Sequence, residues 1–395
     1  MAGYNWILAP ASIFVGYFLK KYCQYFDNIL TDSPSLVKTL ETRKFDRNCQ
    51  LFTVDFKSLF VNIPCDHAVE LMKEIAFMHQ NECKNIHFIL ELLEVTLKFN
   101  AMEFLGEIFV QIFGIAMGTN IAPILANLYL AMLEHKLKEQ TKNDPKMIWP
   151  SLWRRFIDDG FGVIKGHKKD VEYFIHKFNL LVDSIKIDKF EFGDKVPFLD
   201  LCIYKGKRFF AYGKFDIKLY QKEENIYAYI PLKSVHQNHT IVNFVIEELH
   251  RYVKCNSTQL YFEKDKLSFY KRLLDRGYKK SFLNKTFRKV SYESRCELLK
   301  LHVSTLDCSM QEGISEEETK GEEEGVKDKK TPDITLKIGG QFIGLQKDID
   351  AIFNKELSNF TSKSIMLHEF MQHYKLKVIF SKAPNLGNLI VKTKL

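Results

Sequence analysis

The chain has 395 residues, 46% of them hydrophobic and 27% charged, the balance of a soluble globular protein with room for two or three domains. Its formal net charge is +8, but residues 311–330 hold eight acids against four lysines, so the remainder carries +12. That excess suits a polyanionic partner, nucleic acid or an anionic membrane face, or simply a soluble basic protein. The eight cysteines include no C-x-x-C pair, which excludes a zinc ribbon or finger and fits a reducing intracellular compartment.

Residues 6–19, WILAPASIFVGYFL, are apolar but too short to span a bilayer comfortably. They contain Pro10 and have no basic segment before them, so they predict a buried helix and no membrane or signal role. DSPSLVKTLETRK, 32–44, predicts a helix capped by Asp32 or Ser33 with Pro34 in its first turn. CQLFTVDF, 49–56, alternates as a half-buried strand. Helices follow over 62–80, opened by Pro64 or Asp66, and over 85–99. EFLGEIFVQIFGIAMG, 103–118, reads as strand and turn, and 120–140 as a long helix apolar on one side. SLWRRFIDDGFGVIKG, 151–166, reads as a β-hairpin with Asp158 and Asp159 at its tip. A helix over 169–182, short strands over 189–216 and a basic helical stretch from about 240 to 303 come next. The acidic 311–330 stretch cannot bury enough apolar surface to fold and predicts a disordered linker, leaving a small unit over 331–395. The order predicts an α+β fold, a sheet packed on helices with a helical module after it.

Asp55 in FTVDF and Asp158-Asp159 in FIDDG lie in strand-like surroundings. Each acid taken singly is a solvated turn or a helix cap. Taken together, three acids on adjacent strands repel one another unless cations bridge them. Oxygen-only ligands then describe a Mg²⁺ site, and two such ions about 3.5–4 Å apart serve in-line phosphoryl displacement. His236 and His239, at i and i+3, have no cysteine or acid ligand beside them and make no metal pair.

FTVDFKSLFVNIP, GIAMGTNIAPILANLYLAMLE, WRRFIDDGFGVIKG and VPFLDLCIYKGKRF, in that order, resemble the successive palm motifs of reverse transcriptases. In detail they resemble the Penelope-like retroelement branch, which is akin to telomerase. HRYVKCNS, FYKRLLDRGY and the terminal VIFSKAPNLGNLIVKTKL resemble that branch's thumb and downstream connector. The resemblance implies a right-hand polymerase palm followed by an α-helical thumb and a small C-terminal unit. It divides the chain into a helical lead-in over 1–48 (a remnant of fingers), palm over 49–215, thumb over 216–310, acidic linker over 311–332 and connector over 333–395.

Carried over residue by residue, the resemblance makes Asp55, Asp158 and Asp159 the catalytic acids and the ligands of two Mg²⁺ ions, with Mn²⁺ as a substitute. Phe60 matches the bulky gate under the incoming sugar, with core packing as its plain alternative, and Met117 and Gly118 match the turn beside the template–nucleotide pair. Lys205 and Lys207, in the expected hairpin YKGKRF, fall near the family's primer grip, although lone lysines there are mostly solvated. Arg251, Lys254, Lys271, Arg272 and Arg276, with Lys279 and Lys280, alternate with Tyr252, Phe269, Tyr270 and Tyr278, which suits a thumb gripping a template–primer duplex or an ordinary solvated helical face. The partners implied are an RNA template, a DNA primer and dNTPs, with no membrane, and the compartment is intracellular, the nucleus for a retroelement enzyme. About fifty residues precede Asp55 and no GIY-YIG endonuclease motif follows the connector. The chain is therefore expected to have incomplete fingers and reduced activity. The alternative is a catalytically inactive, domesticated nucleic-acid-binding remnant.

Overall fold

Two short helices lead in. α1 (Ala9–Leu19) has Pro10 in its first turn and runs on into a 3-10 segment, Lys20–Tyr25. α2 (Ser33–Thr42) is capped as its sequence predicts: the Asp32 carboxylate accepts the Ser35 amide at 2.8 Å, with Pro34 beside it. After β1 (Gln50–Phe56) come a single turn, α3 (Leu59–Asn62), then α4 (Cys65–Met78) and α5 (Ile86–Lys98). β2 (Ala101–Phe104) and β3 (Glu107–Val110) form a hairpin ahead of α6 (Ala122–Gln140). The computed structural model describes residues 8–79, 85–104, 107–222, 225–232, 234 and 236–301, together with the two strands β10 and β11 introduced below.

The main sheet is antiparallel throughout, in the order β4 (Leu152–Phe156), β5 (Asp159–Ile164), β1, β6 (Ile187–Gly193), with α7 (Lys168–Asn179) crossing from β5 to β6. One face carries Phe52, Val54, Phe56, Trp153 and Ile164 into a core shared with α1, α4, α5, α6 and α7. The opposite face carries Leu51, Leu152, Phe161 and Val163 into a second core. Glycine on β5 makes room on the helix side. A Cβ at Gly162 would lie 2.2 Å from the Phe52 ring, which stacks with Trp153 across that position at 5.9 Å between centroids.

The second core is closed by a three-stranded antiparallel sheet, β7 (Lys195–Phe198), β8 (Leu201–Tyr204) and β9 (Asp216–Leu219), and by α9 (Asn238–Cys255), α10 (Gln259–Asp275) and α11 (Lys280–Phe287). The loop from β8 to β9 is not the expected hairpin. Gly206 opens a short helix, α8 (Lys207–Tyr212), closed by Gly213 at φ 73°. Lys205 does not reach solvent freely; its ammonium sits 2.6 Å from Asp194 and its side chain is buried. α12 (Arg295–Leu298) ends the helical module, and β10 (Ile334–Gly339) pairs in parallel with β11 (Leu376–Ser381). The linker expected over 311–332 lies outside the described residues, as does all of the 333–395 unit except these two strands. Among the described residues no helix is long and apolar enough to cross a membrane.

One buried charge cluster ties remote pieces of chain together. Glu41 of α2 accepts from both terminal nitrogens of Arg208 on α8, one of them at 3.2 Å, and from Arg295 of α12 at 2.7 Å. Burial alone would push the Glu41 carboxyl up, but the charges and hydrogen bonds of Arg295 and Arg208 outweigh it and hold the group below the usual carboxylate range. Removing one partner of such a buried cluster strands the others. Glu41→Gln is expected to lower unfolding free energy by about 3–5 kcal/mol in denaturant titrations. Because the folded-state carboxyl titrates low, the difference from wild type should be full above about pH 5 and shrink as the pH falls through the folded-state value. An equal loss at every pH would contradict the charge assignment.

Candidate active site

On β1 the residues facing the second core are Leu51, Thr53 and, by alternation, Asp55. On β5 the matching row is Val163, Phe161 and Asp159. The two rows are in register, so Asp55 stands directly opposite Asp159 on the same face. Leu51, Val163 and Phe161 are fully covered, Thr53 is part-buried, and the acids emerge part-buried at the strand ends.

The tip of the hairpin is Ile157-Asp158, not the two aspartates; Asp159 already pairs with Phe156 and begins β5. Ile157 has φ 53°, a left-handed conformation unfavourable for a β-branched residue. The Phe56 amide of β1 donates to the Asp158 carbonyl at 3.1 Å, so the turn is laid against the end of β1. Asp158 is thereby held next to both other acids.

The electrostatics report this convergence. Burial, followed by Asp158 and Asp188, pushes the Asp55 carboxyl up against the opposing charge of Lys189. Burial, Asp158 and Asp55 push Asp159 up to about 6, opposed by Lys222. Nothing in the pattern of residues around Asp188 singles that acid out. It is the extra residue where the β1–β6 register slips, Asp55 facing Lys189 and Phe56 facing Ile187. Among the described residues no three acidic, histidine or cysteine side chains stand as a ready-made ion cage. The donor chemistry still suits a hard divalent cation: oxygen atoms only, and like charges with too little positive charge beside them.

Phe60 lies on α3, half-buried against the helix-side core. Its carbonyl accepts the Ile115 amide at 2.7 Å. Gly114, at φ 78°, lets the same segment close on Val61, whose carbonyl oxygen would lie 2.5 Å from any Cβ. The loop continues through Met117, which is 58% exposed, to Gly118 at φ 89°, and then enters α6. Phe60 and the Met117–Gly118 turn therefore belong to one loop cluster, with Asp55 on the strand just before Phe60.

The basic helices are less open than their composition suggests. Arg251 donates to Asp200 at 2.6 Å and to both oxygens of Glu248, at 3.0 and 2.7 Å. Arg272 stacks on Tyr227 at 3.5 Å and donates to Gln221 at 2.9 Å, and Arg276 donates to the Tyr229 carbonyl at 3.0 Å. Arg272 and Arg276 hold the chain after β9 against α10, while Arg251 ties α9 to the turn between β7 and β8. Lys254 is half-buried, while Lys271, Lys279, Lys280, Lys285, Arg288 and Lys289 are exposed. Tyr252, Phe269 and Tyr278 are core side chains, and Tyr270 hydrogen-bonds Asn284 at 2.8 Å.

Arg155 and Glu134 also escape a reading of the sequence. Arg155, on β4 beside the hairpin tip, is wholly buried and pairs with Glu134 of α6 at 2.9 Å. An arginine at a helix-facing strand position, two residues from Trp153, was the available signal.

No family model matches the chain, and no curated protein matches it. Solved structures it is similar to include a telomerase from Candida albicans with a TWJ fragment of telomeric RNA, at 9% identity and TM-score 0.48, over 75% of this chain and 54% of that one. Others are an apo telomerase from Candida tropicalis truncated from its C-terminal domain, at 13%, TM-score 0.41, 55% and 46%, and the RNA-dependent RNA polymerase of a human picobirnavirus, at 12%, TM-score 0.40, 56% and 42%. The chain spans about half the length of these structures.

The raised Asp159 carboxyl has a consequence for stability. Titrating near 6 when folded and near 3.9 when unfolded, it lowers stability as pH rises between those values and leaves it lowered above. In chelator, Asp159→Asn should therefore be more stable than wild type by about 1 kcal/mol at pH 7.5, a figure already discounted for partial exposure. The gain should disappear below about pH 4, where wild type is itself protonated. Thermal unfolding of both proteins across that range checks it, and a gain that grows toward acid would refute it.

Proposed function

We propose that this chain is an RNA-directed DNA polymerase domain of the Penelope-like kind, extending a DNA primer on an RNA template with dNTPs. The observation that carries the reading is the register that sets Asp55 opposite Asp159, with Asp158 on the adjoining turn and the Asp159 carboxyl raised by burial and then by the other two. The order of the sequence segments around these acids, which resembles the palm motifs of that family, supports the same conclusion.

In this reading Asp55, Asp158 and Asp159 would hold two Mg²⁺ ions, or Mn²⁺ in their place. When bound, such ions supply the positive charge that activates the primer 3′-hydroxyl and stabilises the departing pyrophosphate. The chain's own contribution is to hold the acids together against their repulsion and to keep the site's floor apolar. Phe60 would lie under the sugar of the incoming nucleotide, where a ring disfavours a 2′-hydroxyl. Met117 and Gly118 would lie beside the pairing bases, the glycine leaving its backbone open to close approach. Lys271, Lys279 and Lys280 are free to neutralise phosphates of the duplex.

Primer extension on an RNA template with dNTPs and Mg²⁺ or Mn²⁺ tests the reading. Wild type is expected to extend the primer, and Asp158→Asn is expected to lose extension while keeping its affinity for the hybrid. Hybrid binding without extension in either metal would leave a nucleic-acid-binding remnant and remove the enzyme.

Binding itself has a separate test. Lys279→Gln with Lys280→Gln should weaken hybrid binding and flatten its salt dependence, by about one unit of log–log slope per lost phosphate contact. Arg251→Gln, whose donors are already taken, should change stability more than salt slope. The opposite ranking would move the contact face from the lysines to the arginines.

A further inference from the structure

The buried Arg155 makes more hydrogen bonds than its ion pair needs. Its Nε donates to Glu134 at 2.9 Å, one terminal nitrogen donates to Asn127 Oδ1 and to the Ile157 carbonyl, each at 2.9 Å, and the other donates to the Asn127 carbonyl at 2.8 Å. Asn127 and Glu134 are seven residues apart on α6, on one face of the helix. Glu134 also accepts from Trp153 Nε1 at 3.0 Å and from the Asn28 amide. The Arg155 backbone is held on its outer edge by Asn28 and Leu30, at 2.7 and 2.8 Å. Its cross-strand neighbour is Gly160, where a Cβ would lie 2.6 Å from the side chains of Trp153 and Val54.

A buried ion pair is a poor stabiliser: an apolar pair of similar volume is often as good or better, because both charges lose their hydration. What an apolar pair cannot do is donate to a carbonyl. The carbonyl that Arg155 reaches belongs to Ile157, the residue in the left-handed conformation at the hairpin tip. Such a conformation is strained for a β-branched residue and persists only where its surroundings over-determine it. Here the Ile157 side chain packs on the helix-side core, Arg155 takes its carbonyl, and Phe56 takes the carbonyl of Asp158.

We propose that Arg155 is a positioning residue for the acids: its planar fork references the Ile157-Asp158 turn to α6 and so fixes where Asp158 and Asp159 point. The catalytic consequence rests on the polymerase reading; the structural one does not. α6 also begins at the Met117–Gly118 loop, so one helix sets both the acids and the loop proposed to lie beside the pairing bases.

Arg155→Lys keeps a positive charge for Glu134 but cannot bridge Ile157 and Asn127 with one rigid group. Its amide hydrogen exchange is expected to accelerate by at least tenfold in peptides covering 153–160, with peptides from α9 and α10 unchanged. Its extension kcat should fall by at least tenfold, while hybrid Kd and dNTP KM stay within twofold of wild type. Asn127→Ala, which removes one acceptor and keeps the ion pair, should show the same local pattern to a smaller degree and serves if the lysine variant does not fold.

A folded Arg155→Lys with wild-type exchange at 153–160 would overturn the proposal. So would global unfolding of both variants, which would make the network a general stability element. If wild type does not extend primers, the polymerase reading fails and the exchange data still decide the positioning. If Asp158→Asn abolishes extension while Arg155→Lys leaves rate and exchange untouched, the positioning fails alone.

Discussion

Three carboxylates at one end of one sheet repel each other, and much of the surrounding structure holds them in place against that repulsion. Asp55 and Asp159 are direct cross-strand partners, so neither can retreat without breaking the register of β1 with β5. That register is fixed by burial on both faces. A one-residue slip would turn Phe52, Val54 and Phe56 out of one core and Leu51 out of the other. The acids stay together because the apolar residues behind them leave the strands no alternative alignment.

The sheet owes this rigidity to having two cores. Its helix side is packed by α4, α6 and α7, with Gly162 admitting the Phe52–Trp153 stack. Its other side is packed by α2, the small β7–β9 sheet and the helices from α9 to α11. Charged residues join the pieces where apolar ones cannot specify a partner. Glu41 gathers α2, α8 and α12, and Glu134 gathers α6, β4 and the segment around Asn28. A carboxylate that must accept from two or more fixed donors tolerates fewer geometries than an apolar contact does.

Local features were legible because their causes are local. The Asp32 cap, the alternation of β1 and the hairpin bearing Asp158 and Asp159 each depend on residues within a few positions, whereas α6, expected to be apolar on one side, is buried all round over 128–134 because tertiary packing covers it. The turn residue itself was misplaced by one, because an isoleucine at positive φ violates every turn preference and is held there by partners from α6 and β1. The β8–β9 connection read as a hairpin because YKGKRF has turn residues; Gly206 instead packs against Asp216, whose carboxylate would lie 2.0 Å from a Cβ there, and α8 starts. Arg155 stayed hidden because its role lies in contacts with residues 21 and 28 positions away, and no periodicity reports those.

The distribution of cations follows the same logic and changes how the positive charge of the chain should be understood. Arginine presents a planar fork of weakly hydrated donors and suits a fixed, partly buried partner; lysine keeps a compact, strongly hydrated charge and suits solvent. Arg155, Arg208, Arg251, Arg272 and Arg295 are all engaged by acids, carbonyls or rings inside the fold. Lys271, Lys279, Lys280, Lys285 and Lys289 remain at the surface of α10, α11 and the turns beside them. Charge counted from composition treats the two sets alike, yet an arginine already paired with two carboxylates, as Arg251 is, releases little counterion when a phosphate approaches. The cations free to meet a polyanion are therefore fewer than the basic residues of the helical module, and among its described residues they are mainly the exposed lysines, with Arg288.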